Sequence, residues 1–312
     1  MAGNGLEGQS ITSVRQFSRA DVERLMDAAR AVARHPQRYW GVARQRILAT
    51  LFYEPSTRTR LSFESAMARL GGQVISTPDA RQISSAAKGE TLADTVRIIS
   101  GYCDVLALRH PDAGAADEAR RYAQVPVINA GDGTGEHPTQ ALLDAFTIQE
   151  AVGRLDDLTV TVMGDLAFGR TAHSLALLLA RFDRVTLRLV APPTLQLPDV
   201  LVDELERSGV RIEAEDRIAA ALNGTDVLYV TRLQKERLPK DFPADEGGYG
   251  VDADVLARLP AHAIILHPLP RVRELPQWVD NDPRARYFEQ ARLGVFVRMA
   301  LLMDVLGIGD AS

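Results

Sequence analysis

Phe52-Tyr53-Glu54-Pro55-Ser56-Thr57-Arg58-Thr59-Arg60 decides how the rest of the chain reads. The stretch closes an apolar run, Ile47 to Tyr53, and opens a segment with Phe63, Ala66, Met67 and Leu70 at helical spacing. That order is strand, tight loop, helix. Three hydroxyls and a guanidinium therefore sit near a helix N-terminus, where free backbone N–H groups and the positive end of the dipole favour an anion. Arg58 adds a bidentate contact to phosphate or carboxylate. The same residues also read as a Ser/Thr cap flanked by surface arginines.

Working outward, Ser18 and Asp21 mark a cap ahead of a helical face made by Val22, Leu25, Met26 and Ala29. Gly71-Gly72 ends the signature helix, and Gln73 to Ser76 is a short strand. Asp104 to Leu108 and Val125 to Ile128 are further strands, with helices between them. Gly131 to Gly135 makes neither the dinucleotide pattern nor a phosphate loop, so these glycines serve a close approach of backbone. His137-Pro138 enters a helix whose inner face is Ala141, Leu142, Ala145 and Phe146. Proline suits that first turn, and His137 and Gln140 share a face there.

The second half alternates in the same way. Strands are read at Leu158 to Met163, Val185 to Val190, Val210 to Ile212, Asp226 to Val230 and Ile264 to Leu266. Helices start at Arg170 and cover Val200 to Leu205, and Val295, Met299, Leu302 and Leu306 give the closing helix one apolar face. Such alternation builds parallel sheets covered on both faces, with ligands beyond the carboxyl ends of the strands. Arg58, Arg109 and His137 all fall at or just after such ends, and so does Arg232. His267-Pro268-Leu269-Pro270 follows the last strand, and its prolines leave carbonyls to face a ligand. Ser84 to Lys88 is small and polar, and reads as a lid or as an interface arm. Lys240 to Gly250 reads as an exposed loop.

The 312 residues suffice for two domains, and the net charge of −5 argues against broad nucleic-acid binding while allowing local arginine clusters. One cysteine, Cys103, offers no internal disulfide and no thiolate metal cluster. No secretory h-region and no membrane-length apolar run is present. A cytoplasmic protein without membrane or nucleic-acid partners is the expectation.

Ser56-Thr57-Arg58-Thr59-Arg60 resembles the carbamoyl-phosphate signature of the aspartate and ornithine carbamoyltransferases. Lys88-Gly89-Glu90-Thr91-Leu92-Ala93-Asp94-Thr95, Asn129-Ala130-Gly131-Asp132-Gly133, His137-Pro138-Thr139-Gln140 and His267-Pro268-Leu269-Pro270-Arg271-Val272 follow in the family's order, so the likeness covers nearly the whole chain. It implies an α/β fold of two doubly wound domains, each with a central parallel sheet flanked by helices, joined by two interdomain helices. The carbamoyl-phosphate domain would span 1–137 plus the closing helix, 291–312. The second-substrate domain would span 150–285.

The resemblance also implies the chemistry. The carbamoyl group would pass from carbamoyl phosphate to an amine, with no metal or organic cofactor, because phosphate is already a competent leaving group. Ser56, Thr57, Arg58, Thr59 and Arg109 would hold phosphate, joined by Ser84 and Lys88 from the adjacent subunit. Thr59, Arg109 and His137 would address the carbonyl oxygen, and Gln140 with the carbonyls of Leu269 and Pro270 the carbamoyl nitrogen or the amine. Arg58, Thr59, Arg109 and His137 are thus the implied catalytic residues, while Arg60 takes a supporting structural place. Arg170 and Arg232 match the arginines that bind the carboxylates of L-aspartate, helped by Gln234 and Lys88, and the Ser-Met-Gly string of the ornithine branch is missing. N-carbamoyl-L-aspartate for pyrimidine biosynthesis would be the product.

A loop lent between subunits implies a closed ring, the family's homotrimer, with a regulatory chain or a dihydroorotase as further partners. Arg273 and Arg292-Leu293-Gly294 depart from the family pattern, which raises a repulsion between Arg273 and Arg271. The rivals are carbamoyl transfer to ornithine and a catalytically silent structural chain.

Overall fold

The computed structural model describes residues 5–80, 89–215, 217–234 and 249–309. The chain forms two compact units, Met1–Leu143 with Arg292–Ser312, and Asp144–Ala291. Both passages of the chain from one unit to the other fall inside helices, Pro138–Val152 and Tyr287–Val305.

In the first unit, strands β1 (Ile47–Phe52), β2 (Gln73–Thr77), β3 (Val105–His110) and β4 (Val127–Asp132) form a four-stranded parallel sheet in the order β2-β1-β3-β4. β1 is apolar apart from Thr50 because it lies inside the sheet, and Leu48, Ala49, Leu51 and Phe52 are all buried. α1 (Arg19–Arg34) begins at the expected cap: Asp21 donates its N–H to the Ser18 hydroxyl, and Ser18 donates its own to the Asp21 carboxylate. α2 (Thr57–Arg69) leaves β1 and ends before Gly71, which has a φ of +80°. α3 (Leu92–Ser100) and α4 (Ala115–Tyr122) complete the β/α alternation.

Two readings change. The sequence puts the strand end at Ile128 and a glycine loop from Gly131, whereas β4 runs on through Asn129, Ala130 and Gly131 to Asp132. Pairing with β3 carries it there, with a register shift that sets His110 opposite Asp132. The closing helix was read with one apolar face, yet Val297, Arg298, Ala300, Leu301 and Met303 are buried as well as Met299 and Leu302. A helix apolar nearly all round is a core helix.

The second unit holds β5 (Thr159–Met163), β6 (Thr186–Val190), β7 (Arg211–Glu215), β8 (Val227–Val230) and β9 (Ile264–Leu266), parallel in the order β7-β6-β5-β8-β9. In chain order the helices are α5 (Pro138–Val152), α6 (Arg170–Leu179), α7 (Asp199–Arg207), α8 (Ile218–Ala221), α9 (Ala253–Arg258) and α10 (Tyr287–Val305). The core of the second unit gathers Met163, Val190, Leu228, Val230, Ile265 and Tyr287. Residues 240–248 of the expected exposed loop lie outside the described residues.

Gly164, at the end of β5, has a φ of +122°, and a Cβ there would stand 2.2 Å from the Thr231 carbonyl oxygen. Gly164→Ala is expected to cost about 2 kcal/mol or more, since neither backbone can give way. Urea unfolding of the variant against the parent chain checks this.

Candidate active site

The ends of three neighbouring strands supply the first unit's polar groups. β1 leads into α2, β3 ends in Arg109-His110, and β4 leads through a tight turn to His137 and α5. Register sets Phe52 opposite Arg109 and His110 opposite Asp132, so the three exits lie side by side.

Ser56 stands at the N-cap of α2, yet its side chain makes no cap bond, and the first turn carries no acidic residue. Hydroxyls and free amides are thus left for an anion. Arg58 is exposed, and desolvation lowers its pKa from the usual guanidinium value. Thr59 turns inward: its Oγ1 lies 3.4 Å from His137 Nε2, and both residues are buried. Arg109 donates from Nη1 to the Ala130 carbonyl at 3.2 Å, and its Nε lies 3.4 Å from the Glu54 carboxylate. Gln140 follows His137 in the first turn of α5 and donates its N–H to the His137 carbonyl at 2.9 Å. The structure therefore brings Thr59 and His137 together and sets Arg109 on the adjoining strand. Arg60 points elsewhere, to Glu64 and Ser76, both at 3.2 Å.

Asn129 and Asp132 hold this end of the sheet in shape, a role the sequence reading left out. Asp132 Oδ1 accepts from Asn129 Nδ2 and the Glu136 N–H, both at 2.9 Å, and Oδ2 accepts the Gly114 N–H at 2.8 Å. Asn129 also donates to the Thr12 carbonyl and accepts the Gly131 N–H. The sequence expects the glycine run to bring backbone close to a ligand or to the next helix, whereas a Cβ on Gly133 would meet the Pro111 carbonyl, in the turn after β3, at 2.4 Å. No spacing in the sequence marks the Asn129 and Asp132 pair, because the strand is read to end at Ile128 and only the structure carries it to Asp132.

The second unit repeats the plan at the ends of β5, β8 and β9, again neighbours. Arg170 opens α6 and is buried. Arg232 and Gln234 follow β8 and are half-buried. Asp165 ties the first two exits: its carboxylate accepts the Phe168 N–H at 2.9 Å and the Gln234 N–H at 3.3 Å, while Gln234 Nε2 donates to the Phe168 carbonyl at 2.7 Å. Burial raises the Asp165 pKa. After β9, Leu269 has a φ of +53° and precedes a cis Pro270. Arg271 is held by Asp280 and the Tyr287 hydroxyl and lies over the Tyr287 ring, while Arg273 is exposed. Ser84 and Lys88 lie outside the described residues.

Comparison with known proteins follows this division. Residues 9–150 match the family described as aspartate/ornithine carbamoyltransferase, carbamoyl-P binding domain, and residues 156–305 match its Asp/Orn binding domain. The chain is 48% identical over 307 residues to an aspartate carbamoyltransferase catalytic subunit of Thermoplasma acidophilum, covering 97% of this chain and 99% of that one. It is 50% identical over 297 residues to a chloroplastic aspartate carbamoyltransferase of Arabidopsis thaliana, covering 94% and 76%. Among solved structures it resembles an aspartate transcarbamoylase from Trypanosoma cruzi in complex with N-(phosphonacetyl)-L-aspartic acid, at a TM-score of 0.91 and 44% identity over 96% and 97% of the two chains.

Asp132→Ala would strand three donors at the end of β4. It is expected to cost about 2 kcal/mol, read from the urea midpoint, because the buried Asn129 amide loses an acceptor while the other two donors keep partial access to water.

Proposed function

This chain belongs to the aspartate/ornithine carbamoyltransferase family, and from that premise we propose how its residues divide the work. It transfers the carbamoyl group of carbamoyl phosphate to the amine of L-aspartate, giving N-carbamoyl-L-aspartate and phosphate, a step of pyrimidine biosynthesis. The observation that carries the residue assignment is the convergence of β1, β3 and β4 exits on one end of the first sheet.

Ser56, Thr57, Arg58, Thr59 and Arg109 bind the phosphate at the N-terminus of α2. Thr59, Arg109 and His137 donate to the carbonyl oxygen. The 3.4 Å approach of Thr59 to His137 supports a shared target. When the aspartate nitrogen attacks the carbonyl carbon, that oxygen gains negative charge, and donors fixed in place bind it more strongly than the ground state. The carbon–oxygen bond to phosphate then breaks, and a phosphate oxygen takes the amine proton. Gln140 and the carbonyls of Leu269 and Pro270 orient the carbamoyl nitrogen or the amine. Arg170 and Arg232 take the two carboxylates of aspartate, and Gln234 sets the β8 exit through its bond to Phe168. Two guanidiniums suit a dicarboxylate and repel the cationic side chain of ornithine.

Residues 1–137 with 291–312 form the carbamoyl-phosphate domain in this proposal, and 150–285 the aspartate domain. Ser84 and Lys88 complete the site from a neighbouring subunit, Lys88 also reaching aspartate, which requires a closed homotrimer. The single cysteine suits the cytoplasm. Among the described residues no helix is long and apolar enough to cross a membrane.

Incubation with carbamoyl phosphate and either aspartate or ornithine tests the reaction. Ureido product is expected with aspartate alone; product with ornithine alone would reverse the assignment of Arg170 and Arg232. Arg58→Ala is expected to lower kcat by about a thousandfold, the scale of losing a preorganised charged donor. Arg232→Ala is expected to raise the KM for aspartate at least about tenfold, with carbamoyl-phosphate affinity held.

A further inference from the structure

The loop after β9 contains a side-chain lock that the assigned reaction does not use. His267 is buried, and its Nδ1 accepts the Leu269 N–H at 2.8 Å. A backbone amide only donates, so Nδ1 bears a lone pair and the ring proton lies on Nε2. Nε2 stands 2.9 Å from Glu274 Oε1, which also accepts the Val272 N–H at 3.0 Å. Both ring nitrogens are thereby fixed, and the ring is the neutral Nε2–H tautomer.

The histidine backbone is anchored too. Its N–H donates to Gln290 Oε1 at 3.0 Å, and Gln290 Nε2 donates at 2.6 Å to Asp144, which accepts the Tyr229 phenol at 2.8 Å. Gln290, Asp144 and Tyr229 are all buried. Against this anchor stands Leu269, whose φ of +53° is a left-handed conformation that a leucine disfavours. Its side chain packs on the core of the second unit. The bond from the Leu269 N–H to the imidazole is the local interaction that holds the backbone there.

We propose that His267 is a positioning residue: braced by Glu274 as the neutral Nε2–H tautomer, it keeps Leu269 in its left-handed conformation and so presents the Leu269 and Pro270 carbonyls to the attacking amine. This rests on the assignment of those carbonyls above and, of the two targets given there, takes the amine.

The test is made on the full chain labelled with 15N-histidine, alongside steady-state kinetics. Among the signals of the six histidines, an unprotonated Nδ1 resonance that vanishes in His267→Asn is expected, beside one from His110, whose Nδ1 accepts the Asp112 N–H and which persists in that variant. His267→Ala is expected to raise the KM for aspartate about tenfold while carbamoyl-phosphate affinity stays within about twofold. His267→Asn should recover most of that loss, because an asparagine carbonyl also accepts an N–H two residues on. Should His267→Ala fail to fold, Glu274→Ala and Glu274→Gln give the same contrast: the glutamine keeps the acceptor oxygen and should behave as the parent. A protonated Nδ1, an unchanged aspartate KM in His267→Ala, or asparagine no better than alanine would overturn the proposal. A parent chain without any transfer would sink the reaction assignment and the positioning role with it, and the resonances would then report the lock alone.

Discussion

Parallel pairing of β1, β3 and β4 is the constraint on which the first unit's site depends. It places Phe52 beside Arg109 and His110 beside Asp132, so the three chain exits must leave the sheet at one end. The N-terminus of α2, Arg109 and His137 thus stand at neighbouring exits of one sheet end, where the proposed phosphate site lies. The second sheet has the same arrangement, with Arg170, Arg232 and Leu269, the residues proposed for aspartate and the amine, following β5, β8 and β9. A one-residue slip in either ladder would turn these groups to the opposite face.

Charge in the first unit is balanced before any anion arrives. Arg109 lies 3.4 Å from the Glu54 carboxylate, and its side chain is only 13% exposed. A buried guanidinium needs such a partner, because an uncompensated charge away from water is costly. Under the proposed assignment, a phosphate at Arg109 exchanges with Glu54 rather than filling a bare positive hole. Arg58, by contrast, sits at the helix start and feels burial as its leading perturbation.

The residues proposed for the first ligand are legible because their types and places are local. Ser56 to Thr59 follow a strand and open a helix, and Pro138 sits in the first turn of α5, as its sequence implied. Supporting polar residues were not legible. Asp132 acts through Gly114 and Asn129, and Asp165 through Gln234, partners set by the fold rather than by spacing. The same holds for the extension of β4 to Asp132, since the register shift against β3 decides it. Arg273 raised a worry of repulsion with Arg271, but Arg271 is engaged by Asp280 and Tyr287.

The central claim is that one sheet end binds phosphate and the other binds a dicarboxylate. Calorimetric titration with N-(phosphonacetyl)-L-aspartic acid, the molecule bound by the Trypanosoma cruzi relative, tests it most directly because that single compound carries both groups. The account expects tight binding by the parent chain and a loss of about a hundredfold in each of Arg58→Ala and Arg232→Ala, the scale of removing one charged hydrogen-bonding partner. Binding by either variant as tight as by the parent would contradict it.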